Sequence, residues 1–355
     1  MSAKVAGVDC HKDSHVIAVL DDVGRVLEEL TITGAQEFSR ALDVTARWGE
    51  LTWGLESTGS YGRTFAQYLA AAGYCVLEIP ARLTKRYRRH ASRVGKSDPT
   101  DARAIGEVVL RERGRLGQFY GDSPHEEMRV LYDLRSGLVR DRAEILQRMR
   151  HSALRLGLGA LASKLMRPSA LRALTQQLTQ CSTMTRGETS ASVRDLQWAI
   201  ERVALLNRQI TEIEAELRPL ARQYAQLRQL VGVSDIVAAG LVGHAGDLRN
   251  LRDAHAFAMR SGTAPVPCSS GRNQHVRVNH HGDRALNRLL WLTAMVQLRF
   301  PNDAGRKYYD RKRAEGKAPR AAMRCLKRQL ATIIFLRIRA DHAAISAPSS
   351  ASLAA

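Results

Sequence analysis

Residues 4–34, KVAGVDCHKDSHVIAVLDDVGRVLEELTITG, are rich in β-branched apolar positions and are broken at Asp21-Asp22-Val23-Gly24, a hairpin signal. The pattern predicts three consecutive antiparallel strands. A helix is predicted over about 35–48, a strand at LTWGLE (51–56) and a helix through FAQYLAAAG (65–73). A strand at YCVLEIP (74–80) and a basic helix at ARLTKRYRRH (81–90) follow. This βββαβαβα order predicts a mixed α/β domain over residues 1–115.

Beyond it the period changes. Residues 126–156 are helical and charged, whereas 157–190 carry Gly, Ser and Thr clusters such as CSTMTRGETSAS that predict a loop or insertion. In 192–220, Leu196, Val203, Ile210 and Leu217 recur at heptad spacing, beside a stripe of Leu206, Ile213 and Leu220. A single amphipathic helix packed on its own domain gives a similar pattern. The length and charged flanks favour a coiled-coil or helical-hairpin spacer over 116–225, either dimer-forming or domain-bridging. A mostly helical C-terminal domain is predicted over 226–342. Within it, residues 227–248 have either the shape of a degraded helix-hairpin-helix, with Val231-Gly232-Val233-Ser234 at the turn, or that of a plain helix-turn-helix core. Ala322, Leu326, Leu330, Ile333 and Ile334 give the last helix a buried face, and the tail at 343–355 is low in complexity and expected to be disordered.

Charge narrows the function classes. The 355 residues include 54 Lys and Arg against 35 Asp and Glu, for a net +19 and a pI near 10.3. Such an excess points to a polyanionic partner. The longest apolar run, LLWLTAMVQL (289–298), is short of the roughly 20 residues that a membrane helix needs, so nucleic acid is the expected partner. The N-terminus has no apolar signal core. Five scattered cysteines without a CxxC pair predict a reducing, cytoplasmic, nucleoid-associated setting, and Cys268, His275, His280 and His281 match no standard zinc spacing. Only 5% of the chain is aromatic, which disfavours a stacking single-strand binder. Residues 284–339 hold fifteen Lys or Arg and three Asp or Glu, so twelve of the nineteen net charges lie there. The candidate nucleic-acid contacts are Lys85, Arg86, Arg88, Arg89, Arg93 and Lys96 in the first domain, and Arg272, Arg311, Lys312, Arg313, Lys317 and Arg320 in the last.

Four carboxylates carry the candidate chemistry. Asp9 ends the first predicted strand and Glu56 the fourth, and strand ends are where α/β sheets gather ligands. In GKSDPTDARAI (95–105), Asp98 suits an N-cap, Pro99 the first helical position, and Asp101 the same face three residues on. Acidic residues at a helix start are also an ordinary stabilising device. Four converging carboxylates would repel one another unless divalent cations bound between them, and oxygen ligands point to Mg²⁺ or Mn²⁺ with no organic cofactor. Two such ions can clamp a phosphodiester.

An Asp on strand one, a Glu on strand four and a helical Asp pair are together the arrangement of RNase H-fold, RuvC-like nucleases. Gly7-Val8-Asp9 with Lys12, Glu56-Ser57-Thr58-Gly59-Ser60-Tyr61 and Lys96-Ser97-Asp98-Pro99-Thr100-Asp101-Ala102-Arg103 resemble the DEDD-type transposases of bacterial insertion sequences. The group concerned is the one-ten family, viewed as bridge-RNA-guided serine recombinases. Gly262-Thr263-Ala264-Pro265 followed by Ser270-Gly271 is similar to that family's second signature, and so are Gly316-Lys317 and the helix beyond. The match departs from the family at Thr263-Ala264, where a leucine-containing pair is usual, and at His280-His281, where a lysine is common; Ser269 also precedes Ser270.

The resemblance implies that ions held by Asp9, Glu56, Asp98 and Asp101 polarise a scissile phosphate. Ser270 then attacks it, leaving a 5′-phosphoserine and a free 3′-hydroxyl, and conserves the bond energy for resealing. It also implies double-stranded donor and target DNA, a guide RNA made by the element, and dimers that pair into a tetramer, with the serine delivered to a partner's acidic domain. Three other readings use the same residues. A hydrolytic nuclease or junction resolvase would not need Ser270, and a non-catalytic nucleic-acid-binding protein would use the acids as caps. An actin-like phosphotransferase would use Gly7-Val8-Asp9, but the charge disfavours it.

Overall fold

The computed structural model describes residues 4–91, 97–121, 123–162, 165, 167–181, 188–270 and 273–346. The chain divides into two compact units, Met1–Ser123 and Pro124–Ala355.

The first unit is built on a six-stranded sheet of order β3-β2-β1-β4-β5-β6. Strands β1 (Lys4–Cys10), β2 (Ser14–Leu20) and β3 (Val26–Thr33) form the expected antiparallel meander. After α1 (Phe38–Thr45), β4 (Leu51–Leu55) pairs parallel to β1; after α2 (Arg63–Ala71), β5 (Cys75–Glu78) pairs parallel to β4. Helices α3 (Ala81–Ala91) and α4 (Asp98–Glu112) precede β6 (Gly117–Phe119), which runs antiparallel to β5 and carries the sheet past residue 115. β1 and β2 are buried along almost their whole length because helices cover both faces, whereas β3 alternates and forms an edge. Trp53 and Phe65 centre the core on one face, and Ile105, Val108 and Val109 of α4 fill the other.

The second unit is helical apart from one hairpin. It comprises α5 (Pro124–Arg155), α6 (Gly159–Ala162), α7 (Pro168–Cys181), α8 (Glu188–Arg222), α9 (Ala225–Arg228), α10 (Asp235–Ala245) and α11 (Ala254–Arg260). The hairpin β7 (Val266–Ser270) and β8 (Asn273–Arg277) follows, then α12 (Arg284–Gln297), α13 (Ala304–Ala314) and α14 (Pro319–Ser346).

The structure bears on three expectations here. The heptad stripe of Leu196, Val203, Ile210 and Leu217 is buried within the chain: α8 lies antiparallel on α5, joined by Arg135–Glu214 and Arg142–Asn207 contacts. The spacer is therefore an intrachain helical hairpin, not a seam reserved for a second copy. Within 157–190, Pro168–Cys181 forms α7, whose Leu174 and Leu178 cap the far end of that hairpin together with Met149 and Leu196, while 182–187 of the expected loop lie outside the described residues. The stretch 343–346 continues α14, while 347–355 lie outside the described residues.

The turn before α10 resolves as a packed core turn. A Cβ on Gly232 (φ +91) would fall 2.8 Å from the Thr293 carbonyl of α12, so only glycine fits the contact. Asp235 occupies the first turn of α10 and pairs with Arg228 and Arg222, which puts a carboxylate where a hairpin of this kind would receive a phosphate.

His244 ties the hairpin arm to the rest of the unit. Its Nε2 lies 3.1 Å from Asp133 on α5, and its Nδ1 lies 3.1 Å from Asp283, the N-cap of α12. Burial lowers its pKa, but the bonds and charges of Asp283 and Asp133 outweigh that, and the net shift is upward. A raised folded value stabilises the protein fully below the ordinary histidine value of about 6.5, and the stabilisation is lost as pH rises past it towards the folded value. Thermal unfolding should therefore separate wild type from His244→Gln most at pH 6, with the gap narrowing at higher pH. A gap independent of pH would mean that packing alone is lost.

Candidate metal centre and serine hairpin

Backbone geometry collects the four acids. The parallel register Val8↔Leu55 sends β1 and β4 out of the sheet together, so Asp9 and Glu56 emerge side by side at their C-terminal ends. The helix carrying the other two lies almost flush on β1. A Cβ on Gly7 would meet the Ala102 carbonyl at 2.1 Å and the Gly106 nitrogen at 2.3 Å. That close approach brings the first turn of α4 to the strand ends. Ser97, with extended backbone, is the cap residue, and Asp98 stands inside the helix rather than capping it. The Ser97 hydroxyl is 2.8 Å from that of Thr100. Asp98 is thus left half-exposed, while Asp101 is buried.

The carboxylates feel one another. Burial raises the pKa of Asp9 most strongly; His11 lowers it, and Asp101, Glu56 and Asp98 raise it in turn. The Cys10 thiol is pushed up to about 12 by burial and by the charges of Asp9 and Glu56, so it stays protonated and is neither nucleophile nor thiolate ligand. Glu56 Oε1 is buried and, among the described residues, accepts no hydrogen bond. A buried, mutually repelling oxygen set with an orphaned acceptor fits a hard divalent cation.

His11 was not among the expected site residues. In the turn after β1, its Nε2 stands 3.2 Å from Asp9 Oδ2 and 3.5 Å from Asp98 Oδ1. Among the described residues, Asp9, His11 and Asp98 form the one group whose ligand atoms converge closely enough to hold a metal; Glu56 and Asp101 stand outside it, and Cys268, His280 and His281 do not converge on a second, the side chain of His275 lying outside the described residues. The signal was the spacing Asp9-x-His11 at a strand end. Directly after Glu56, Ser57 adopts φ +57, a left-handed conformation that costs a non-glycine residue about 1–2 kcal/mol. Its carbonyl accepts from the Ser60 and Gly62 amides, and Thr58 donates to Glu78, which holds the turn beneath Glu56.

Ser270 is the last residue of β7, paired across the hairpin with Asn273; Gly271 and Arg272 lie outside the described residues. Of the expected nucleic-acid contacts, Lys85 and Arg86 are exposed on α3. The side chains of Arg88 and Arg89, and all of Arg93 and Lys96, lie outside the described residues. Arg311 and Lys312 are engaged by Glu315, Arg313 donates to the Lys317 carbonyl, and Arg320 is exposed. No described helix is long and apolar enough to cross a membrane.

Two family models match the chain. A DEDD transposase model covers residues 6–156, which include all four acids, and the model of the IS116/IS110/IS902 transposase family covers 224–310, which include Ser270. The 42 kDa protein of insertion element IS900 from Mycobacterium paratuberculosis is 27% identical, over 95% of this chain and 96% of that protein. The 44.8 kDa protein of insertion element IS116 from Streptomyces clavuligerus is 25% identical, over 96% of each. The 43.6 kDa protein of insertion element IS110 from Streptomyces coelicolor is 32% identical over 36% of this chain and 32% of that protein.

Proposed function

Because the chain belongs to the IS110 family of DEDD insertion-sequence transposases, and so acts on DNA, we propose that it cuts and rejoins strands through a serine-linked intermediate. In this reading Met1–Ser123 is an RNase H-like, RuvC-like domain, supported by the meander β1–β3 followed by the parallel strands β4 and β5. Asp9, Glu56, Asp98 and Asp101 would hold the divalent ion, Mg²⁺ or Mn²⁺; Asp9 and Asp98 already converge with His11, and Glu56 and Asp101 would close in on the ion from beside them. A bound ion supplies charge neutralisation and Lewis-acid polarisation of the phosphate. The observation that carries the proposal is the coupling of all four acids around Asp9, at the meeting of two strand ends and one helix start.

Ser270 supplies the nucleophile. Its oxygen bonds to phosphorus, the bond to the 3′ oxygen breaks, and the serine proton passes in net to that oxygen. The product is a 5′-phosphoserine and a 3′-hydroxyl. Reversal on a new 3′-hydroxyl reseals the strand without an external energy source. Sequence choice falls to a guide RNA from the element. That assignment is supported by basic surfaces suited to phosphates and by a chain poor in aromatic residues. Dimers and a tetramer on two duplexes complete the proposal. Since α8 spends its heptad stripe on α5, such contacts would use other surfaces.

The test compares wild type with Ser270→Ala, Ser269→Ala and Asp98→Asn in Mg²⁺ with donor DNA, target DNA and RNA. A denaturation-resistant protein–DNA adduct is expected in wild type and Ser269→Ala and absent from the other two. Cleavage by Ser270→Ala at the wild-type rate would mean that water is the nucleophile.

A further inference from the structure

Between the β8 strand, α12, α13 and α14, the second unit encloses a cavity of about 740 Å³. Its lining is of two kinds. Arg284 and Arg288 from one face of α12, Arg324, Lys327 and Arg328 from α14, Arg277 from β8 and Lys317 from the turn before α14 line it with positive charge. Pro265, Val276 and Val278 make an apolar lip, on which Val276 is 71% and Val278 43% exposed. Among the described residues no aspartate or glutamate lines the cavity.

Elsewhere in this unit several cations meet partners: Arg129 pairs with Glu126, Arg135 and Arg218 with Glu214, and Arg306 with Asp310. Among the described residues none of the seven cavity cations makes an ion pair. Lys327 donates instead to neutral Asn287, at 2.7 Å, and Arg328 to the Thr332 hydroxyl. Burial, then the charge of Arg324, lowers the Lys327 pKa. Like charges gathered without counterions cost stability, and such unrelieved cost in a concave site marks a place kept for an anion. A volume of this order suits a compact ligand, and a duplex is too wide to enter it. A cavity lined by cations together with exposed apolar side chains matches the two ends of a nucleotide unit, its phosphate and its base.

We propose that this cavity binds a short single-stranded nucleic-acid segment, with its phosphates on Arg284, Arg288, Arg324 and Arg328 and a base against Val276 and Val278. The site rests on the strand-transfer reading above, since β7, which bears Ser270, begins at the cavity rim beside Pro265. The phosphodiester chemistry is common to a DNA strand freed by cleavage and to a guide RNA.

The test uses the full chain carrying Arg288→Gln and Arg324→Gln together, and independently Arg284→Gln with Arg328→Gln. Probes are a labelled single-stranded DNA, an RNA of the same sequence and the DNA duplex, each titrated across a range of salt. Single-strand affinity is expected to fall on the order of 10- to 100-fold, with the slope of log affinity against log salt shallower by about 1.4 for two lost phosphate contacts. Duplex affinity should change little, and the melting temperature should hold or rise because repulsion is relieved. Loss on DNA alone or on RNA alone assigns the occupant to that strand; loss on both assigns the shared backbone. An unchanged single-strand affinity, an equal loss on the duplex or a clear drop in melting temperature would overturn the site. Serine adduct formation by wild type is followed in parallel. Its absence would defeat the strand-transfer reading alone, whereas a normal adduct with unaltered single-strand binding would defeat this cavity alone.

Discussion

Gly7→Ala is expected to dislodge α4 from the sheet and to lower the stability of the first unit by about 3 kcal/mol or more, at the upper end of overpacking costs. The added methyl would lie 2.1 Å from the Ala102 carbonyl and 2.3 Å from the Gly106 nitrogen. Both are backbone atoms, so no side chain can rotate out of the way. The helix must lift, and with it Ala102, Ile105, Val108 and Val109 lose their fully buried contacts. Its first turn carries Asp98 and Asp101, so strand transfer should fall along with stability. Gly59→Ala is the control, because a Cβ there meets open space at an unstrained backbone. Hydrogen exchange along β1 and α4, with thermal unfolding, measures the effect; equal behaviour of the two variants would contradict the close-packing account.

Asp9→Asn is expected to move stability and activity in opposite directions. Asp9 is buried among Asp101, Glu56 and Asp98, whose charges oppose its ionisation. Neutralising it removes one buried negative charge without changing shape, and because burial and the three acids outweigh His11, the metal-free protein should gain stability. The same change removes a ligand from the centre. Saturating Mg²⁺ or Mn²⁺, at about 100 times its dissociation constant, should stabilise wild type by roughly 2.7 kcal/mol and the variant by almost none. Strand transfer should fall on the order of 10³-fold, the equivalent of about 4 kcal/mol of lost transition-state stabilisation. Thermal scans with and without the ion check the first two effects and a strand-transfer assay the third. A metal-free variant less stable than wild type would contradict the repulsive cluster.

The first unit was largely legible because its signals are local. β-Branched runs marked β1 to β3, and acids at strand ends and one turn apart on a helix marked the candidate centre, of which Asp9 and Asp98 converge with His11. His11 escaped because its role depends on where the β1–β2 turn folds, not on any periodic pattern. β6, only three residues long, gives no period to detect. In the second unit the heptad stripe of α8 correctly signalled a packed helix but not its partner. An apolar seam looks the same whether α5 or a second copy fills it. Asp98 was assigned a capping role on residue type alone, whereas Ser97 carries the extended cap backbone. The basic cavity was legible only as charge: residues 284–339 marked the excess and Lys317 was a candidate, but the cations converge from β8, α12, α14 and the turn before α14, and the other candidates in that stretch fell on α13, where Glu315 engages two of them, and at Arg320.

The most direct test of serine-linked strand transfer is to trap the protein on cleaved DNA in Mg²⁺, digest both polymers and locate the remaining nucleotide by mass spectrometry. The account predicts a 5′-phosphodeoxynucleotide on Ser270, formed only when Asp9, Glu56, Asp98 and Asp101 are intact. A nucleotide on Ser269, or cut DNA with free 5′-phosphates and no protein attached, would contradict it.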